Sequence, residues 1–132
     1  MAKVLVGNTT SRQLNWLVAN CEGHQWRCSW LLGRDGFHSW QSYEESWGNP
    51  TPEYATDPAQ GQPILERERI KTAPNLNGSW LGQIRHTKPH PLVSHPVLNG
   101  WTNQHGPTML IAGLRCYVAS KLGDAVEIPE GL

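Results

Sequence analysis

Apolar residues recur at helical spacing in two segments of the chain. Leu14, Leu17, Val18 and Cys21 lie three and four residues apart and form one stripe, with Trp16 on its flank. This predicts a helix from about Arg12 to Glu22, with Thr9, Thr10 and Ser11 as N-cap candidates and Gly23 as a left-handed stop. Leu110, Leu114, Tyr117, Val118 and Lys121 repeat in the same way and predict a second helix from about Pro107 to Leu122. Pro107 suits the first helical position and Gly123 its end.

Elsewhere the pattern alternates. Met1 to Gly7 reads as a short apolar strand. Trp26, Cys28 and Trp30 alternate with polar residues. The turn signal Gly33-Arg34-Asp35-Gly36 follows, with Phe37 to Tyr43 as a returning strand. Residues 47–62 shift to Gly, Pro, Asn, Thr and Asp and read as a structured loop. Pro63 to Lys71 alternates most cleanly: Ile64, Glu66, Glu68 and Ile70 against Leu65, Arg67 and Arg69. A turn at Asn75 to Gly78 and the alternation from Trp80 to Arg85 complete an expected antiparallel hairpin. Residues 86–106, where histidines interleave with Pro89, Pro91 and Pro96, read as loop, with Asn99-Gly100 as a turn. Ala125 to Leu132 reads as a short strand or coil.

The expected fold is therefore α+β: a small antiparallel sheet, with strands near 26–32, 63–71 and 79–85, and two main helices packed on one face. It forms a single domain over residues 1–132, with a Trp-rich insertion at about 24–53 and a His/Pro loop at about 86–106. The length of 132 residues suffices to bury a core without a disulfide or metal staple. The 38% hydrophobic content is low for such a domain and fits these loops.

Charge and cysteine usage then narrow the partners. Eleven basic residues balance eleven acidic ones, which argues against a general nucleic-acid binder but leaves room for a small anionic ligand held by one or two arginines. Cys21, Cys28 and Cys116 form no Cys-x-x-Cys pair and read as reduced thiols. No apolar run reaches the ~18 residues of a membrane span, and no signal-peptide pattern is present. The expected protein is cytoplasmic, without a membrane partner or a cofactor.

Three groups of residues could carry chemistry. Glu66, Arg67, Glu68 and Arg69 are either an exposed strand with weak ion pairs or the polar floor of a pocket, the acids binding ribose or base donors and Arg67 a phosphate. The seven tryptophans are either core or, where they sit in loops as Trp40, Trp47 and Trp101 do, platforms for a base or a protein partner. His86, His90 and His95 are spaced like a metal pair on a helix, but the prolines exclude that helix, so they read as hydrogen-bonding loop residues. There is no Gly-x-Ser-x-Gly elbow and no Gly-rich phosphate loop.

Three blocks also carry a resemblance. Leu14-Asn15-Trp16-Leu17-Val18-Ala19-Asn20-Cys21-Glu22-Gly23 resembles the N-terminal helix of the NinX-like phage proteins. Tyr54 through Glu68, with Gln60-Gly61-Gln62-Pro63-Ile64-Leu65-Glu66-Arg67-Glu68, is similar to that family's central segment. Gly106-Pro107-Thr108 through Arg115-Cys116-Tyr117-Val118-Ala119-Ser120-Lys121-Leu122-Gly123-Asp124 resembles its closing helix. Residues 24–53 and 86–98 depart from the family pattern as elaborations. The resemblance implies a small accessory protein of tailed phages or prophages, made in the cytoplasm of the infected bacterial host. It implies no reaction.

Together these readings give a non-catalytic counter-defence factor that binds and sequesters a small nucleotide-derived ligand. The residues expected to hold it are Arg67, Glu66, Glu68, Trp80 and Trp101, then Trp47, Tyr54 and Arg115. A homo-oligomer would deepen such a pocket. The alternative is a protein-binding inhibitor of a host defence enzyme or complex, using residues 26–47. A nucleotide-degrading enzyme stands third, and DNA binding below it.

Overall fold

The computed structural model describes residues 2–22, 52–128 and 132. The expected strands at 26–32 and 37–43, and Trp26, Trp30, Trp40 and Trp47, lie outside the described residues.

The elements run β1 (Ala2–Leu5), a 3₁₀ turn (Val6–Asn8), α1 (Ser11–Cys21), α2 (Pro58–Arg67), β2 (Lys71–Pro74), β3 (Trp80–Lys88), β4 (Val97–Gly106), α3 (Met109–Leu122) and β5 (Ala125–Ile128). The architecture is α+β. β2, β3 and β4 form an antiparallel sheet in that order, and β1 pairs antiparallel with β5 in a separate two-stranded sheet.

Local chemistry sets the helix ends. Thr10 caps α1 through a reciprocal pair: its hydroxyl accepts from the Gln13 N–H, and Gln13 Oε1 accepts from the Thr10 N–H at 2.9 Å. Thr108 caps α3 by accepting from the Ile111 N–H, so Pro107 precedes the cap rather than opening the helix. Gly123, at φ 90°, ends α3 as expected.

The expected strand at 63–71 is instead mostly helix. Asp57 accepts from the Ala59 N–H and Pro58 opens α2, a strong helix start. Pro63 is tolerated because the carbonyl it crowds, that of Ala59, belongs to the first turn. The helix buries the adjacent pair Ile64 and Leu65, which an alternating strand would have split between two faces. Among the described residues there are thus three α-helices, α2 joining the two main ones expected.

The segment 86–106 is likewise not a loop throughout. β3 continues to Lys88, the chain turns over residues 89–96, and β4 returns along it. Asn99-Gly100 lies inside β4 at an irregularity opposite His86 and Thr87, not at a turn. The Asn75–Ser79 turn is where it was expected.

α3 is the central wall. It is buried on almost every side, with Leu114, Cys116, Tyr117 and Val118 essentially inaccessible. Two glycines let it lie directly on the sheet: a Cβ at Gly82 would stand 2.3 Å from the Ala112 carbonyl oxygen, and one at Gly106 2.7 Å from the Ala112 nitrogen. On its other side α3 packs against α1 and α2, with Gly113 admitting Leu65. Asn15 ties α1 to the segment before α2 by accepting from the Ala55 N–H at 2.8 Å.

Candidate functional site

α3 covers one face of the sheet, and among the described residues no element packs across the other. Gly82 and Ile84 are buried toward α3, so the alternation places Leu81, Gln83 and Arg85 of β3 on the open face. The register sets Arg85 opposite Trp101, Gln83 opposite Asn103 on one side and Lys71 on the other, and Leu81 between His105 and Ala73.

The entry to this face is shaped by the end of α2. The Ile70 N–H bonds the Leu65 carbonyl at 2.9 Å and the Arg69 N–H bonds the Glu66 carbonyl at 3.2 Å, which closes the helix in a Schellman motif. The residue that must turn left-handed is Arg69, at φ 54°, where glycine is the usual choice.

Glu68, Arg69, Lys71, Gln83, Arg85, Thr87 and Trp101 line a groove of about 400 Å3. Trp101 is 47% exposed. Arg69, Lys71 and Arg85 have no ion pair among the described residues. The single carboxylate in the groove, Glu68, is engaged by Arg67 at 3.3 Å and Lys121 at 3.2 Å. The groove therefore presents three uncompensated cations beside an accessible indole, with the Gln83 amide between them. Such a surface attracts anions, and its ring can stack on a planar one.

The residues expected from the sequence divide. Glu68 and Trp101 line the groove. Arg67 is turned to Glu22, with its two terminal nitrogens 2.9 and 2.7 Å from the two carboxylate oxygens. Tyr117 donates its hydroxyl to the same carboxylate at 2.5 Å. Burial, and then this bond to Glu22, raise the Tyr117 hydroxyl well above its ordinary value. Arg67 thus holds α2 to the end of α1 and to α3. Glu66 is exposed on α2, away from the groove lining. Trp80 is half-buried on the α3 side of β3, and Tyr54 is buried in the core. Arg115 donates to the carbonyls of His105 at 2.9 Å and Thr9 at 2.6 Å, which staples α3 to β4 and to the start of α1. Burial lowers its guanidinium below the ordinary arginine value. Trp47 lies outside the described residues.

The sequence reading missed Lys71, Gln83 and Arg85 as site residues, and took Arg69 only as part of a charged strand. Their signal was partly present in the alternation Gln83-x-Arg85 on the expected strand from Trp80 to Arg85, whereas Lys71 joins them only through the pairing of β2 with β3.

A second hollow, of about 230 Å3, lies between residues 87 and 96. It is lined by one hairpin end alone, with Lys88 as its only Lys, Arg, Asp or Glu. His90 Nδ1 accepts from the Leu92 N–H at 3.0 Å, and His86 shares a hydrogen bond with the Thr102 hydroxyl. Among the described residues no group of three His, Cys, Asp or Glu side chains could hold a metal ion. Among the same residues no helix is long and apolar enough to cross a membrane.

Comparison with curated proteins gives no match. The family model described as Bacteriophage P22, NinX matches residues 6–121, which takes in α1, α2, α3 up to its last residue, the whole three-stranded sheet and the whole groove, but neither strand of the two-stranded sheet. The chain belongs to the NinX family of phage proteins.

Proposed function

We propose that the protein binds a small nucleotide-derived ligand on the open face of the β2–β3–β4 sheet, without turning it over. The observation that carries this reading is the row of unpaired cations, Arg69, Lys71 and Arg85, beside the exposed Trp101. Arg85 and Lys71 would take phosphate oxygens, Trp101 would stack on the base, and Gln83 would meet its polar edge. The left-handed Arg69 adds weight, because backbone strain concentrates where function requires a particular side chain. Glu68 is occupied by two cations, which disfavours it as a general base. In a phage-family protein the matching role is sequestration of a host defence signal in the bacterial cytoplasm.

Isothermal titration with nucleoside mono-, di- and cyclic phosphates, and with the bare nucleosides, tests this. The phosphorylated compounds should bind and the nucleosides should not. Arg85→Ala or Trp101→Ala should each weaken binding at least about tenfold, the loss of one charge-assisted bond or one stack. The compound should be recovered intact from denatured protein. Absence of nucleotide binding, recovery of a cleaved product, or an equal loss on Arg67→Ala would each overturn the reading.

A further inference from the structure

The two edges of the three-stranded sheet differ in kind. β2 is short and carries Lys71 and Pro74, two features that discourage strand addition. β4 runs ten residues, Val97–Gly106, with no Lys, Arg, Asp, Glu or Pro. The irregularity opposite His86 and Thr87 confines its regular part to Trp101–Gly106, and no charge of Lys, Arg, Asp or Glu and no proline blunts that part.

The phase of the ladder shows which backbone groups this edge offers. The Asn75 N–H bonds the Ser79 carbonyl at 2.8 Å, which places Pro74–Trp80 at a non-hydrogen-bonded pair and Ala73–Leu81 at a hydrogen-bonded one. Leu81 and Gln83 then turn their backbone groups to β2, and Gly82 and Ile84 turn theirs to Gln104 and Thr102. Trp101, Asn103 and His105 consequently face outward. The His105 carbonyl confirms the phase, since it accepts from Arg115. Trp101 and Asn103 are left with an outward N–H and an outward C=O each, and no described residue bonds them.

We propose that β4 is a self-pairing edge, through which two copies of this chain join antiparallel and merge their sheets into one. The occupant is a second copy because the edge carries no Lys, Arg, Asp or Glu, so antiparallel pairing with itself about Thr102 sets no two such charges against each other and keeps the two His105 side chains apart. Setting Trp101 opposite Asn103 of the other copy satisfies all four outward groups at once, making roughly four backbone hydrogen bonds. It also covers part of the exposed Trp101 and leaves the Arg85 positions of the two copies about 16 Å apart, three strand spacings across and two residues along, beyond the screening length. The result is one broad face with a groove on each half. This assembly stands without any ligand, so it does not depend on the nucleotide reading.

Sedimentation velocity of the full chain, ligand-free and over about 1 to 100 μM, tests it. A dimer is expected. Asn103→Pro deletes an outward N–H while leaving the bonds to β3, and Asn103→Lys places a charge on the edge. Each should raise the dimer dissociation constant at least about tenfold with an unchanged far-ultraviolet spectrum. A monomer throughout that range, or a dimer that persists in a folded Asn103→Pro, overturns the proposal. Should that variant fail to fold, amide exchange on the wild-type chain decides: the Trp101 and Asn103 amides must gain protection with concentration, and free exchange at both ends of the range refutes the pairing.

Discussion

Replacing Arg69 with glycine should strengthen the fold and weaken the site at once. At φ 54° an L-residue carries about 1–2 kcal/mol of steric cost, which glycine does not. Glycine in turn loses more chain entropy on folding, offsetting about 0.4–1 kcal/mol. The net expectation for Arg69→Gly is a gain of about 0.5–1 kcal/mol, or roughly 2–4 °C in melting temperature for a domain of this size. The same change removes one of three cations from the groove, so anion affinity should fall several-fold. Arg69→Ala separates the two effects, because alanine keeps the left-handed cost while deleting the charge. It should match glycine in lost binding and match the wild type in stability. Thermal melts and nucleotide titration on the three proteins provide the readouts. A destabilised Arg69→Gly would refute the backbone argument, and undiminished binding in both variants would remove Arg69 from the site.

Further expectations concern the frame and the rejected candidates. Gly82→Ala should cost about 2–3 kcal/mol in urea unfolding, since its Cβ meets the α3 backbone, whereas Gly7→Ala meets only the end of the Gln104 side chain and should be nearly silent. Thr10→Ala should cost about 1 kcal/mol by opening the α1 cap. Arg67→Ala should lower stability by no more than about 1 kcal/mol, its side chain being half exposed, and leave ligand affinity within about twofold. Burial pushes the Cys116 thiol from 9.0 up to about 12. An acid held protonated in the folded state stabilises fully below its unfolded value and loses that contribution as pH rises. Stability should therefore decline between about pH 9 and 12, and Cys116→Ala should lessen the decline in urea midpoints across that range, the raised Cys21 thiol and Tyr117 hydroxyl supplying the remainder.

Parts of this architecture were legible in the residues and parts were not. The stripes Leu14-Leu17-Val18 and Leu110-Leu114-Tyr117-Val118 named α1 and α3 to within a residue or two, because each buries a periodic face. α2 was read as a strand because Ile64, Glu66, Glu68 and Ile70 alternate by chance of composition. The discriminating signal was the Asp57-Pro58 start, not the alternation after it. β4 was hidden because its inward positions are Gly106, Gln104, Thr102 and Gly100, which carry no apolar pattern. At Gly106 the reason is close approach, since a Cβ there would stand 2.7 Å from the Ala112 nitrogen, while Gln104 reaches across to Asp124. The groove was only half readable. Trp101 stood out by type, but the cations join it only through the register that sets Lys71 beside Gln83 and Arg85 beside Trp101.

The pairing of β1 with β5 has a mechanical consequence. Ala2 faces Ile128 and Leu5 faces Ala125, so tension applied at residues 2 and 128 separates the rungs one after another. A ladder loaded this way unzips at low force, whereas one pulled along its strands must break its bonds together. Traction from the β5 side leads next into α3, the wall that both the sheet and the other helices lean on. Traction from the β1 side meets α1 first and leaves α3 and the sheet standing. An unfolding machine of the host would therefore dismantle this protein far more readily from one direction than from the other.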